Sequence, residues 1–212
     1  MQILRPTPIY RLLHIENLAV ILDCGGMYAP NHTPEDTCDY RAIHNMDIQH
    51  IRRQRPIVCG PGGTVHDYVA FYFGPRSPML LQLHTGGVDG YDEGQEPLIY
   101  AVSTVETIVD AQLEFVFSDG HGIAAFSQWF EDLNDLDKVD WGMVSADYWA
   151  DTVDDMDRQR RKQAEFLVYR FCPWKVIKQI GVLNKVVKQR VERILDRNNI
   201  SMPVEVCRQW YY

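Results

Sequence analysis

The chain has 212 residues, of which 46% are apolar and 24% charged. These values are close to the average of globular proteins and exclude a disordered or collagen-like chain, and the length predicts one domain. With 21 basic and 29 acidic residues the net charge is −8, so no overall basic field attracts nucleic acid. Any attraction to DNA therefore has to be local.

The cysteines and histidines favour neither a disulfide framework nor a metal site. The five cysteines are odd in number, and neither C-x-x-C nor H-E-x-x-H occurs. We therefore expect free thiols in a reducing cytoplasm and no bound metal. The N-terminus has no apolar run of the length of a secretory signal, and no run approaches the length of a membrane span, so we also expect a cytoplasmic protein without a membrane partner.

The first fifty residues predict one strand, one helix and a long loop. Residues 9–13 alternate loosely, as a strand does, and helical spacing over residues 15–22 ends at Gly25 and Gly26. Residues 30–47 are rich in Pro, Asn, Thr, Asp and His and predict an irregular loop. Loops of this length in a compact domain are often functional.

A cationic stretch, residues 52–55, is followed by Pro56, which predicts a helix end. The cluster at residues 60–63 lacks the Gly-Lys-Ser/Thr ending of a phosphate loop and predicts a turn. The next apolar runs predict strands at 68–73, 79–83, 98–102 and 115–117 and a short helix at 104–111.

The second half begins with a polar, acidic and aromatic region, residues 119–161, for which we predict helix and loop. Strand patterns then occupy residues 164–169, 176–183 and 204–206, and a helical stripe lies at 186–195. Because strands and helices do not alternate regularly, the fold class predicted is α+β.

Glu165 stands out because it interrupts an apolar run. Such a carboxylate either faces water or projects into a cleft, where it can hold a ribose hydroxyl or stabilise a developing positive charge. Two further features also allow two interpretations. Asp119-Gly120-His121 is a turn or a functional strand end, and the cations at 158–162 form a solvated face or contact phosphates.

The ordered motifs together resemble one family, over about residue 8 to residue 212. They are Ile9-Tyr10-Arg11-x-x-His14-x-x-Asn17-Leu18, His66-Asp67-Tyr68-Val69-x-Phe71-Tyr72-Phe73, Arg76-Ser77-Pro78-Met79-Leu80, Phe115-Val116-Phe117-x-Asp119-x-His121, Tyr148-Trp149, Gln163-Ala164-Glu165-x-Leu167-Val168 and Trp210-Tyr211-Tyr212. This set is similar to DarT, the DNA ADP-ribosyltransferase toxins of DarT–DarG toxin–antitoxin systems.

The resemblance implies a single ADP-ribosyltransferase domain over residues 1–212, an α+β fold with a split antiparallel β core and flanking helices. NAD+ would be consumed as a substrate, and its ADP-ribose would pass to a base of single-stranded DNA, most often thymidine in this family. The lesion would block replication. A DarG-like macrodomain antitoxin would be the cognate partner.

The resemblance also implies the catalytic residues. Glu165 matches the catalytic glutamate of the family and would stabilise positive charge on the ribose as nicotinamide leaves. Arg52 matches the catalytic arginine, although a slip of one residue would exchange it with Arg53. An arginine is always charged, so we expect it to stabilise charge rather than accept a proton.

Residues 30–55 would form a lid over NAD+. The residues implied in NAD+ binding are Arg11, Leu13, His14, Asn17, Arg52, Tyr72, Ser77 and Met79. Some family members carry His-x-Thr where this chain has Arg11-Leu12-Leu13, so the NAD+ contacts of the first strand are expected to differ. Main-chain groups there could hold the nicotinamide amide, and Arg11 could reach a ribose or a phosphate.

Residues 119–165 would form the target-recognition loop. The residues implied in DNA binding are Arg76, His121, Tyr148, Trp149 and Asp151. Two alternatives remain: the same chemistry on guanosine, RNA or protein, and a non-catalytic module that binds single-stranded DNA without NAD+. The negative net charge argues against the second alternative.

Overall fold

The computed structural model describes residues 5–34 and 38–212. Its strands are β1 (Pro8–His14), β2 (Gly26–Tyr28), β3 (Tyr68–Tyr72), β4 (Leu98–Thr104), β5 (Phe115–Ser118), β6 (Trp129–Phe130), β7 (Glu165–Tyr169), β8 (Phe171–Pro173), β9 (Gln179–Val182) and β10 (Val204–Val206). Its α-helices are α1 (Asn17–Asp23), α2 (Met46–Gln54), α3 (Pro78–His84), α4 (Val105–Asp110), α5 (Trp141–Ser145), α6 (Arg158–Lys162) and α7 (Lys185–Arg197).

Eight strands form one sheet in the order β10-β9-β4-β1-β3-β7-β5-β6, and β2 pairs with β8 in a second, small sheet. Neighbouring strands of the large sheet are antiparallel, except that β10 runs parallel to β9. This large, mostly antiparallel sheet with flanking helices confirms the predicted α+β class.

The core lies on both faces of the sheet because successive side chains of a strand point to opposite faces. On β1, Ile9 and Leu13 belong to the larger cluster, which also contains apolar side chains of α1, α4 and α7. Leu12 belongs to a second cluster, which α3 covers with Leu80 and Leu83. The inner strands are therefore buried on both sides and hold the residues near their ends firmly in place.

The strand predicted at residues 79–83 is wrong, because the segment is helix α3. Ser77 is its N-cap and accepts a hydrogen bond from the Leu80 amide, while Pro78 occupies the first helical turn. Serine followed by proline is a common helix start. The strand predicted at 176–183 is also shorter than expected, since a 3-10 turn at Trp174–Val176 precedes β9.

Cys24 and Cys38 form a disulfide, with their Cα atoms 6.7 Å apart. The expectation that all thiols are free is therefore wrong for this pair. The odd cysteine count argued against a framework of bridges but did not exclude a single bridge. The disulfide ties the end of α1 to the loop predicted as a lid. Among the described residues, no helix is both long and apolar enough to cross a membrane.

Candidate active site

A cavity of about 620 Å³ lies beside β1, β3 and α2, which is within the usual volume range of small-molecule sites. Several residues singled out from the sequence line it: Arg11, Leu13, Asn17, Arg52, Tyr72, Met79, His121 and Glu165. Its walls also include residues 40–45, part of the predicted lid. The other predicted site residues do not line the cavity; they are His14, Ser77, Arg76, Tyr148, Trp149 and Asp151.

Glu165 is the first residue of β7, and 1% of it is exposed. Its carboxylate accepts two hydrogen bonds from Arg52, from Nη1 to Oε1 at 3.0 Å and from Nη2 to Oε2 at 2.7 Å. The Gly122 amide donates a third, to Oε1, at 2.8 Å. Paired hydrogen bonds between an arginine and a carboxylate give geometric specificity as well as energy, so the carboxylate is held in one orientation.

Burial alone would raise the pKa of Glu165, but the charge and hydrogen bonds of Arg52 outweigh it and keep that pKa below its ordinary value. Glu165 is therefore ionised at neutral pH although it is buried. A buried negative charge beside a cavity can stabilise a positive charge that develops there, because few water molecules screen it.

The structure separates the two candidate arginines of α2. This helix begins after Asn45, whose side chain accepts hydrogen bonds from two amides of the first turn. One helical position further along, the direction of a side chain changes by about 100°. Arg52 is accordingly buried against Glu165, whereas Arg53 is exposed.

The loop after β5 brings Gly122 and His121 to the same carboxylate. A Cβ at Gly122 would lie 3.0 Å from Glu165 Oε1 and 3.1 Å from the Trp129 ring, so this backbone approaches very closely. His121 lines the cavity, and burial lowers its pKa, partly offset by the charge of Glu165. The imidazole is therefore neutral at pH 7.

Gly122→Ala is expected to lower kcat about tenfold, because a displacement of a few tenths of an ångström at a reacting group slows catalysis. Either Trp129 or the carboxylate of Glu165 has to move. Steady-state rates measure the effect, and the melting temperature should change little. The control is Gly86→Ala, at a glycine with open space around its Cβ position but a positive φ. This variant should lose stability and keep its kcat. An unchanged kcat in Gly122→Ala would contradict the prediction.

Arg11 contributes a cation to the cavity that no carboxylate neutralises within the described residues. Its Nη1 donates to the Ala70 carbonyl at 2.8 Å, and its buried Nε has no hydrogen-bond partner among residues 5–34 and 38–212. Burial lowers its pKa from the ordinary value, but an arginine starts so high that it stays charged. A buried guanidinium with free donors is suited to bind an anion.

His14 and Asn17 lie at the corner between β1 and α1. Asn17 exchanges two hydrogen bonds with the main chain of Arg41, at 2.9 and 2.7 Å, and thereby holds the loop above the cavity. His14 is 1% exposed and is not one of the lining residues, and its Nε2 lies 3.7 Å from Glu93 Oε2. Tyr72, on the neighbouring strand β3, pairs with Glu165 in the sheet, and its hydroxyl contacts the Met79 sulfur at 3.9 Å.

A second group of predicted residues lies together outside the cavity lining. Trp149 Nε1 donates to the Tyr212 hydroxyl at 2.8 Å, which in turn donates to the Arg76 carbonyl at 2.8 Å. The Arg76 guanidinium lies 4.7 Å from the centre of the Tyr212 ring and pairs with Asp147. Tyr212 thus joins Trp149 to Arg76.

Tyr148 is 81% exposed, and its carbonyl accepts a hydrogen bond from Arg158. Asp151 accepts one from the Gln159 amide, so both residues sit on a surface loop fastened to α6. Among the residues that the structure describes, no group of three or more His, Cys, Asp or Glu side chains could hold a metal ion.

Sequence reasoning missed some residues of the site. Gly122 was not singled out, because only the fold shows its amide beside Glu165. His44 lines the cavity, and burial and the charges of Arg11 and Arg52 lower its pKa. Its position in the predicted lid was the one feature of the sequence that could have indicated a place in the site. Tyr212 was part of a terminal motif but had been given no role.

Comparison with known proteins identifies the family. A family model described as "ssDNA thymidine ADP-ribosyltransferase, DarT" matches residues 10–212. A DNA ADP-ribosyl transferase of Thermus sp. (strain 2.9) is 40% identical over 209 residues, which are 98% of this chain and 97% of the relative. The structure of Thermus sp. 2.9 DarT in complex with ADP-ribosylated ssDNA superposes with a TM-score of 0.93 at 38% identity, covering 100% and 99% of the two chains. The same protein in complex with NAD+ gives 0.89 at 38% identity, with both chains covered to 100%.

Proposed function

This chain belongs to the DarT family, and we propose that the cavity beside Glu165 and Arg52 is its catalytic site. The protein is an NAD+-dependent DNA ADP-ribosyltransferase that acts on single-stranded DNA. The observation that carries the proposed site is the ionised carboxylate of Glu165, held by Arg52 and Gly122 at a cavity large enough for a dinucleotide.

In this site Glu165 stabilises the ribose as its bond to nicotinamide breaks. The electron pair of that bond leaves with the nicotinamide, so positive charge develops on the sugar. A buried carboxylate beside the sugar lowers the energy of this state, as in glycoside cleavage. Arg52 and Gly122 keep the carboxylate ionised and correctly directed.

The acceptor is a thymidine base, following the description of the family model. The ring nitrogen of thymine is protonated at neutral pH, so the base attacks well only when its negative charge is stabilised as the proton leaves. Arg52 supplies a fixed positive charge for this purpose. The neutral imidazole of His121 lines the same cavity, contacts the base and accepts its ring proton.

NAD+ occupies the cavity beneath residues 30–34 and 38–55, which act as a lid; residues 35–37 of the predicted lid lie outside the described part of the chain. Arg11 takes an anionic or hydroxyl group of NAD+, because its buried Nε finds no hydrogen-bond partner in the described part of the chain. Leu13, Asn17, Tyr72 and Met79 line the space beside it. His14 and Ser77 support these walls from behind, His14 at the corner after β1 and Ser77 as the cap of α3.

Residues 119–165 bind the DNA. They belong to a single domain that spans residues 1–212. Trp149 and Tyr148 offer aromatic surface, and Arg76 offers a cation for a phosphate. Asp151 holds the loop that carries them by accepting from the Gln159 amide. A macrodomain antitoxin of the DarG type is the cognate partner, and the bacterial cytoplasm, where replicating DNA is found, is the place of action.

The test uses the purified protein, NAD+ and short single-stranded oligonucleotides that differ in one base. Mass spectrometry should show the addition of one ADP-ribose per modified oligonucleotide and the release of nicotinamide, and fragmentation should place the adduct on thymidine. A duplex of the same sequence is the control and should react poorly. An adduct on guanosine would contradict the choice of base. Modification of RNA or protein in preference to DNA, or DNA binding without NAD+ consumption, would contradict the proposed function.

A further inference from the structure

Phe126 is an exposed aromatic side chain on the loop that follows β5, with 68% of its surface in contact with water. Aromatic rings gain free energy when they are covered, and they are usually placed inside a protein. The proposed function includes residue 126 in the DNA-binding region but gives its side chain no role of its own, and nothing in the described part of the chain covers the outer face of the ring.

The inner face of the ring is supported by Arg160. The guanidinium carbon lies 5.1 Å from the ring centre, in the range of a cation–π contact. Arg160 is itself held by two hydrogen bonds to Asp157, at 2.7 and 2.8 Å, and by one to Asp119 at 2.9 Å. The ring therefore rests on a side chain that is fixed in place.

The loop around Phe126 is also fastened. Arg55 donates from Nη2 to the carbonyls of Ala124 and Ala125, both at 3.0 Å. The Ser127 hydroxyl donates to the His121 carbonyl at 2.8 Å and closes the loop. An exposed ring on an ordered loop loses little conformational entropy when a ligand covers it, and this favours binding.

The same loop reaches the proposed catalytic site. Its residue Gly122 donates to Glu165 at 2.8 Å, and Phe126 follows four residues later. Since consecutive Cα atoms are 3.8 Å apart, the Cα atoms of these two residues are separated by at most about 15 Å. This span corresponds to a few nucleotides of a strand whose reactive base lies at Glu165.

We propose that Phe126 is a stacking platform for a base of the single-stranded DNA beside the base that reacts. The inference rests on the proposed function. The protein carries a net charge of −8, so long-range attraction to the phosphates contributes little, and short-range stacking has to supply part of the affinity. Stacking on an aromatic ring is favourable whatever the base, because every base has a π-face.

The test compares Phe126→Leu with Phe126→Trp. Leucine keeps an apolar side chain but has no aromatic face, whereas tryptophan keeps one. With a ten-nucleotide acceptor, we expect Phe126→Leu to raise the KM for DNA about five- to thirtyfold and Phe126→Trp to stay near the wild type. The KM for NAD+ and the DNA-independent hydrolysis of NAD+ should not change. Val186→Ala, at another exposed apolar residue (62% exposed, on α7), is the matched control and should leave every constant unchanged.

Two further measurements separate stacking from other causes. The effect of Phe126→Leu should disappear with a mononucleotide acceptor, which has no neighbouring base, and should persist in high salt, because stacking is not a charge interaction. An unchanged KM for DNA in Phe126→Leu would overturn the proposal that Phe126 is a stacking platform. A change in the KM for NAD+ equal to that in the KM for DNA would also overturn it. If the wild-type protein itself transfers nothing to any oligonucleotide, the proposed function fails, and the platform fails with it.

Discussion

Glu165→Gln should fold and bind NAD+ but transfer ADP-ribose at least about a hundred- to a thousandfold more slowly than the wild type. Glutamine has the shape of glutamate, and its carbonyl can still accept from the Gly122 amide. It carries no negative charge, so the ribose loses its electrostatic stabilisation as nicotinamide leaves. DNA-independent hydrolysis of NAD+ should fall by a similar factor, because it breaks the same bond.

Single-turnover rates with labelled NAD+ measure the loss, and the quenching of protein fluorescence by NAD+ measures binding. Glu192→Gln on α7 makes the same chemical change in a surface ion pair with Lys188 and should leave the rates unchanged. Full transfer activity of Glu165→Gln would remove the role assigned to this carboxylate.

The secondary structure could be predicted where the sequence pattern and the tertiary environment agree. The loose alternation at residues 9–13 and the aromatic run at 68–73 correspond to β1 and β3. The prediction at residues 79–83 was wrong because a short apolar run fits a buried strand and a buried helix equally well. The signals that decide for a helix stand just before the run, in Ser77 and Pro78.

The candidate site was predictable to a different degree at each residue. The alternating pattern around Glu165 allowed its side chain to face either water or a cleft. In the structure, β7 is buried on both faces. The match to the family motif, not periodicity, indicated the cleft. The bond between Arg52 and Glu165 joins residues 113 positions apart, and no local pattern can distinguish Arg52 from Arg53 at that range.

Contacts made by main-chain groups could not be predicted from the sequence. The Gly122 amide reaches Glu165 only because β5 and β7 are neighbours in the sheet. A glycine in a polar stretch predicts a turn, and the sequence does not state which carboxylate the turn approaches. The same applies to Tyr212, whose partner Trp149 is 63 positions away.

Arg52→Gln should destabilise the fold by about 3–5 kcal/mol at neutral pH, because it leaves a buried carboxylate without its partner. In the wild type, Arg52 holds the pKa of Glu165 below its ordinary value. The stabilisation from this pair is therefore present at pH values above the pKa of the unfolded chain and is lost as the pH falls through the lower pKa of the folded state. In the variant the Gly122 hydrogen bond still favours the ionised form, but the opposing effect of burial is no longer offset by Arg52, so the pKa of Glu165 should rise.

The loss of stability in Arg52→Gln should therefore be largest at neutral pH and smaller near pH 4, where the carboxyl is protonated. The acid limb of its residual kcat/KM should also move to higher pH. Urea unfolding at several pH values and a pH–rate profile measure the two effects.

Arg52→Lys keeps the charge but loses the paired hydrogen bonds. Its stability and the position of its acid limb should therefore lie between those of the wild type and of Arg52→Gln. Arg53→Gln, one residue along the same helix and exposed to water, is the matched control and should change neither stability nor the pH profile. If Arg53→Gln shifted the acid limb and Arg52→Gln did not, the arginine that acts on Glu165 would have to be the exposed one. The ion pair between Arg52 and Glu165 would then not be the contact that keeps Glu165 ionised during the reaction.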